Sequence, residues 1–168
     1  MAQNSIHRRQ ASSAWEMEVQ ILKIQMRSFS DGRIIFEYTI PRMGKRVDVV
    51  VLYRNIVFLL EFKCGDTEYR QSTYDRVYDY ALDLRNFQKE SHNKLLVPIM
   101  VSTRAAAVTN EIFERESVIE PLRCNASNIA DVIIAVAARY TMYVAQRFWW
   151  RYCWGLLCST CMGNTAQS

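Results

Sequence analysis

The sequence predicts an α/β domain, with a central mixed sheet of about four to five strands flanked by helices. Three observations predict it. Apolar residues recur at helical spacing in several stretches, unbroken β-branched and aliphatic runs of strand length lie between them, and the two patterns alternate along the chain. With 168 residues the chain is long enough for one domain with a core of its own. Half the residues are hydrophobic and 23% are charged, a composition of ordered rather than disordered proteins. The formal charge of +4 suits a polyanionic partner without pointing to one.

Residues 1–11 read as a disordered polar arm, and the domain is expected over 12–140. From Ser12 to Ser30, Trp15, Val19, Leu22, Met26 and Phe29 fall on one helical face, with Ser12 or Ser13 as cap and Asp31-Gly32 as stop. "RIIFEYTI", Arg33 to Ile40, is a strand ended by Pro41, and "PRMGKR" is a basic turn. Two strands follow at roughly 47–53 and 56–63. A second helix covers roughly Thr73 to Gln88, where Tyr74, Val77, Tyr80, Ala81, Leu84 and Phe87 share one side. "KLLVPIMVST", Lys94 to Thr103, is a further strand, "NEIFERES" a polar helical stretch, "VIEPLRC" a short strand and Asn125 to Tyr140 the last helix.

The paired strands "RVDVVVLYRNIVFLLEFKCG" carry charges in the most apolar part of the chain. Arg54-Asn55 makes a two-residue hairpin loop, since Asn tolerates positive φ. That loop pairs Tyr53 with Ile56, and counting outward sets Asp48 opposite Glu61, with Lys63 on the same face as Glu61. Like charges directly opposed destabilise a ladder, so something must offset them. A divalent cation does so most simply: Mg²⁺ takes one or two carboxylates plus waters and a phosphate oxygen. Lys63 is then placed to orient or deprotonate a water, or to stabilise developing negative charge. On the first helix Glu18 lies about 60° from Trp15, within the apolar arc, so it can look toward the sheet. On the second, Arg76 and Tyr80 are one turn apart at the edge of the buried stripe.

A helical Glu18, then Asp48, then Glu61-Phe62-Lys63 on adjacent strands resembles the PD-(D/E)XK nuclease superfamily. Arg76-Val77-Tyr78-Asp79-Tyr80 stands where that superfamily often has Gln-x-x-x-Tyr, with Arg in place of Gln. "IIFEYTIPRMGKRVDVVVL", "LLEFKCG", "DYALDLRNF" and "VPIMVST" are similar to the nuclease-like region in front of an uncharacterised Schlafen-related P-loop ATPase/helicase domain. The likeness spans about Trp15 to Tyr140, and the ATPase part is absent from this sequence. It implies a restriction-endonuclease-like core and Mg²⁺-dependent phosphodiester cleavage, Mn²⁺ substituting, on nucleic acid with DNA favoured. It implies Asp48 and Glu61 as metal ligands, Lys63 as the catalytic lysine and Glu18 as an accessory acid. Arg42, Lys45, Arg46, Arg76 and Tyr80 are the candidate nucleic-acid contacts. The alternatives are a catalytically silent nuclease-fold module that binds nucleic acid or a partner ATPase, and a nonfunctional fragment of a larger nuclease-helicase.

Each residue has a blander role available. Asp48 can be a solvated strand end, Glu18 a wet-edge helix residue, Tyr80 a core tyrosine, and Arg42, Lys45 and Arg46 a solvated turn. His7 and His92 stand alone, so no histidine chemistry is expected. The tail from 141 to 168 holds three of the five cysteines and three of the four tryptophans, and it reads as a frameshifted or truncated frame. Its Cys158-x-x-Cys161, with Cys153, is one ligand short of a zinc site. An odd cysteine count and an N-terminus without an apolar signal segment point to the cytoplasm, and no stretch is apolar enough for a membrane span.

Overall fold

A computed structural model describes residues 2–41, 43–88 and 91–141, with side chains from Ser13 onward. Arg42 and the cysteine- and tryptophan-rich stretch 142–168 lie outside the described residues. The elements are α1 (Ala2–Gln25), β1 (Arg33–Thr39), β2 (Arg46–Tyr53), β3 (Ile56–Lys63), α2 (Gln71–Phe87), β4 (Leu95–Ser102), β5 (Glu114–Arg115), β6 (Val118–Ile119), β7 (Leu122–Cys124) and α3 (129–141). The α/β class and the mixed sheet match expectation. The sheet has seven strands rather than four to five, in the order β1-β2-β3-β4-β6-β5 with β7 also on β4. The extra strands are pieces of two or three residues.

Strands β1 to β3 run antiparallel, while β4 lies parallel to β3, β6 and β7. Parallel neighbours need a crossover, and α2 supplies it between β3 and β4. Leu22 of α1, Met26 just past its end, and Ile129, Ile133 and Val136 of α3 pack one face of the sheet. Val77, Tyr80, Ala81 and Leu84 of α2 pack the other. Strand β4, "LLVPIMVS", is buried along its whole length because it is central and covered on both faces. Its Pro98 cannot donate to a ladder. The cost is avoided by a gap: β6 pairs at Leu96, β7 takes over from Ile99, and no partner stands beside Pro98 on that side.

Three expectations change. Helix α1 extends N-terminal of Ser12, into the stretch read as a polar arm, and ends at Gln25 rather than Ser30. Its Trp15 is 48% exposed, touching Phe36 only edge-on, so the core stripe begins further along, at Leu22. "NEIFERES" is not helical. Asn110 acts as a surrogate strand residue, donating through Nδ2 to the Arg123 carbonyl and accepting the Arg123 N–H, each at 2.8 Å. Glu116 and Ser117 then take φ of 51° and 65°, the geometry of a tight hairpin turn, and join β5 to β6.

The β2–β3 turn has the same geometry, with Arg54 and Asn55 at φ 48° and 66°, and Tyr53 pairs with Ile56 as counted from sequence. In β1, Glu37 also takes a positive φ, 52°, though it lies within a strand. A non-glycine residue there stores of order 1 kcal/mol. We therefore expect Glu37→Gly to be nearly neutral in urea unfolding, relief of about 1 kcal/mol of strain being offset by about 0.4–1 kcal/mol of added chain entropy and the small worth of the exposed Glu37–Arg46 ion pair. Glu37→Val should lower stability by at least about 1 kcal/mol, because a β-branched residue tolerates that φ worst. Equal stabilities for the two variants would refute stored strain.

Candidate active site

The strain at Glu37 lies against the acidic residue of the neighbouring strand. Phe36 pairs with Val49 and Tyr38 with Val47, but no pairing joins Glu37 to Asp48 between them. Pairing of β2 with β3 likewise stops at Val49–Leu60, one step short of Asp48 and Glu61. The sheet opens at Asp48 on both sides.

The facing of the strands changes there too. Val49 packs under α1 and α3, whereas Val47, two residues away, packs under α2. Phe36 and Tyr38 divide between the same two cores. Residues two apart in a regular strand share a face, so both strands turn over at Glu37 and Asp48.

Into this opening the Phe62 N–H donates to Asp48 Oδ2 at 2.8 Å. Next to it Glu61 is 2% exposed. Its Oε1 accepts from Lys63 Nζ at 2.7 Å and from Arg76 Nη1 at 3.2 Å. Its Oε2 is buried with no hydrogen-bond partner. Lys63 Nζ also donates to the Phe62 carbonyl at 3.2 Å, so strand geometry ties the ammonium to the site. Past Lys63 the chain is pinned: Gly65, at φ 89°, donates its N–H to Thr103 Oγ1, and Thr103 N–H reaches the Lys63 carbonyl.

Asp48 is raised to about 6, first by burial and then by the Glu61 charge, with a hydrogen bond from its protonated carboxyl to Glu61 adding to the rise and the Phe62 N–H and Lys63 pulling the other way. Glu18 is raised to about 7, by burial first and the Asp48 charge second, with Glu61 adding to it. The Tyr80 phenol is pushed up by burial and by Glu61. Glu18, Asp48, Glu61, Lys63, Arg76 and Tyr80 therefore act on one another, although α1 and α2 cover opposite faces of the sheet. The opening at Asp48 is what lets groups from both faces meet.

Lys45 is paired outside this cluster, whereas the Arg46 charge acts on Tyr80 within it. Lys45 Nζ is paired with Asp83 at 2.8 Å and Arg46 with Glu37 at 3.2 Å, so their charges are already matched. Arg42 lies outside the described residues. Cys64 adjoins the cluster without having been a candidate. Its thiol faces the Ala14 carbonyl at 3.7 Å and Glu18 Oε1 at 3.9 Å, and is pushed up to about 11, by burial first and the Glu18 charge second, so it stays protonated. The signal was available: strand alternation turns the residue after Lys63 toward α1.

Among the described residues no three His, Cys, Asp or Glu side chains form a ready-made metal cage. What fits a cation is narrower: two adjoining carboxylates, one with a buried, unpartnered oxygen. Such a donor set suits a hard ion that keeps most of its waters. A cleft of about 480 Å³ lined by Arg54, Asn55, Lys94 and Glu114 opens at the other end of β3 and holds none of these groups. Comparison with known proteins finds no matching family model, curated protein or solved structure. No helix among the described residues is long and apolar enough to cross a membrane.

A carboxyl whose pKa is higher folded than unfolded binds more protons in the native state, so stability falls as pH rises between the two values. For Asp48 that window runs from 3.8 to about 6, and for Glu18 from 4.5 to about 7. The metal-free protein should therefore lose stability from pH 4 to pH 7. Asp48→Asn, which can still accept the Phe62 N–H, should be more stable than the parent at pH 8, by about 1–3 kcal/mol. That advantage should shrink toward pH 4, as measured by urea unfolding in EDTA. A variant less stable at pH 8 would show that the Asp48 charge is favourable where it stands.

Proposed function

We propose that this chain is a Mg²⁺-dependent phosphodiesterase of the PD-(D/E)XK nuclease type, built on a restriction-endonuclease-like core and acting on nucleic acid, DNA first. The observation that carries the proposal is the buried, partnerless Oε2 of Glu61 beside the Asp48 carboxyl. A buried acceptor left unpaired costs about 1–3 kcal/mol or more when charged. A small cation repays this, and above about pH 6, where Asp48 gives up the proton it shares with Glu61, the cation has no such competitor.

Asp48 and Glu61 would hold the cation. When bound, Mg²⁺ supplies a Lewis acid for the scissile phosphate and acidifies water. The rest is done by the chain. Lys63, tied to Glu61 and to its own strand, presents its ammonium where charge develops on the phosphate. Glu18, poised near neutrality, accepts a proton from water above pH 7. Arg76, 55% exposed at its side chain, faces the substrate backbone from α2, and Tyr80, one turn on, is buried in the core behind it.

A second reading, a silent nuclease-fold module that binds nucleic acid or a P-loop ATPase, is favoured by one observation: Lys63 and Arg76 both satisfy Glu61 with no metal required.

Two measurements decide between them. Purified protein should cut duplex DNA with Mg²⁺ or Mn²⁺, and Asp48→Ala, Glu61→Ala and Lys63→Ala should each lower the rate by at least about 10²-fold with the fold intact by circular dichroism. Binding of DNA or RNA without cutting either leaves the silent module standing. Isothermal titration should show Mn²⁺ uptake that strengthens from pH 5.5 to pH 8 and releases protons, because the cation replaces those on Asp48 and Glu18. Asp48→Asn should abolish it. Uptake independent of pH would place the ion elsewhere.

A further inference from the structure

One oxygen of Glu61 carries two cations while the other carries nothing. Lys63 and Arg76 both converge on Oε1, at 2.7 and 3.2 Å, and Oε2 is buried and unpartnered. The two cations differ in freedom. Lys63 is 29% exposed and is also held by the Phe62 carbonyl, so its position follows from β3. Arg76 is 55% exposed and reaches Glu61 from α2 through one nitrogen. A bidentate clasp would use two parallel N–H···O bonds. A single-point contact from a largely solvated head costs little to release.

We propose that Arg76 is a counter-ion latch. It neutralises Glu61 in the metal-free protein and moves to a backbone phosphate of bound nucleic acid once Glu61 holds a cation. The inference rests on the metal reading above and deepens it. A guanidinium and a divalent ion on one carboxylate repel over a few ångströms, where Coulomb energies exceed thermal energy even near a protein surface. Metal uptake and the Arg76–Glu61 pair therefore oppose each other. By linkage, a polyanion that draws Arg76 away must strengthen metal uptake, and metal uptake must strengthen polyanion binding by the same factor. The site would then hold metal weakly until a strand is in place. Arginine suits this exchange better than a neutral amide, because it is always charged and matches both carboxylate and phosphate.

The test has two arms. In EDTA, where no cutting occurs, binding of a labelled DNA duplex is followed by fluorescence anisotropy. E61Q, which uncharges the group that holds Arg76, should bind about three- to tenfold more tightly than the parent, and E61Q/R76Q should lose most of that gain. A gain kept in full without Arg76, or no gain at all, overturns the latch. E61Q replaces a buried carboxylate, so its fold is checked by circular dichroism, whereas R76Q changes a half-exposed side chain. In the second arm Mn²⁺ is titrated into the parent and R76Q without DNA. R76Q should take up Mn²⁺ about tenfold more tightly. Equal or weaker uptake by R76Q overturns the exchange alone. No uptake by either chain overturns the metal reading and the exchange with it.

Discussion

The Phe62 N–H goes to a carboxylate instead of a carbonyl, and the rest of the site depends on that. Hydrogen-bonded pairs alternate along an antiparallel ladder. With Tyr53 opposite Ile56 at the turn, a regular ladder would give the Phe62 N–H to the Val47 carbonyl. It goes to Asp48 Oδ2. The strands part without orphaning the amide, and the space between them becomes available to side chains from both layers of helix. Glu37 completes the change on the other side of β2, taking up in its backbone the turn-over that lets Phe36 and Tyr38 enter different cores.

Three carboxyls then act on one another here, and two devices make them tolerable. Asp48 and Glu18 keep protons to about pH 6 and 7. Glu61, the most buried, is held by two cations on a single oxygen. Protons on the first two and the Arg76 contact on the third are removable, while Lys63 is fixed by its strand. The arrangement is therefore at rest without a metal, and under the proposed function a cation would take the place of those removable charges at the empty half of Glu61.

Much of this was legible in the chain. A two-residue turn admits one register, so Arg54-Asn55 set the pairing as far as Val49–Leu60 and left Asp48 and Glu61 as the next, unpaired, positions. Glu18 followed from helical angle and Arg76 from its distance to Tyr80. The break in pairing at Asp48 was not legible, because a side chain replacing a backbone acceptor leaves no trace in periodicity. Nor was the fate of the basic turn: Lys45 and Arg46 look free until Asp83, remote in sequence, and Glu37, across the β1–β2 hairpin, arrive beside them. "NEIFERES" reads as a helix because its polarity is helix-like, and only Asn110 docking onto Arg123 overrides it. The short strands β5 to β7 escaped for a related reason, since two or three residues carry no measurable period.

Local rules are broken twice at one register position. Glu37 adopts a backbone angle that costs of order 1 kcal/mol. Asp48 and Glu61 put like charges together where burial magnifies their repulsion. Against a net stability of about 5–15 kcal/mol for a domain, losses of this size are not negligible. Either could be removed by a single conservative substitution without touching the core: glycine at 37, asparagine at 48. A sheet selected for stability alone has no use for both defects side by side. They make sense together, because the strain at Glu37 holds open the gap in which the charges of Asp48 and Glu61 can meet something other than each other.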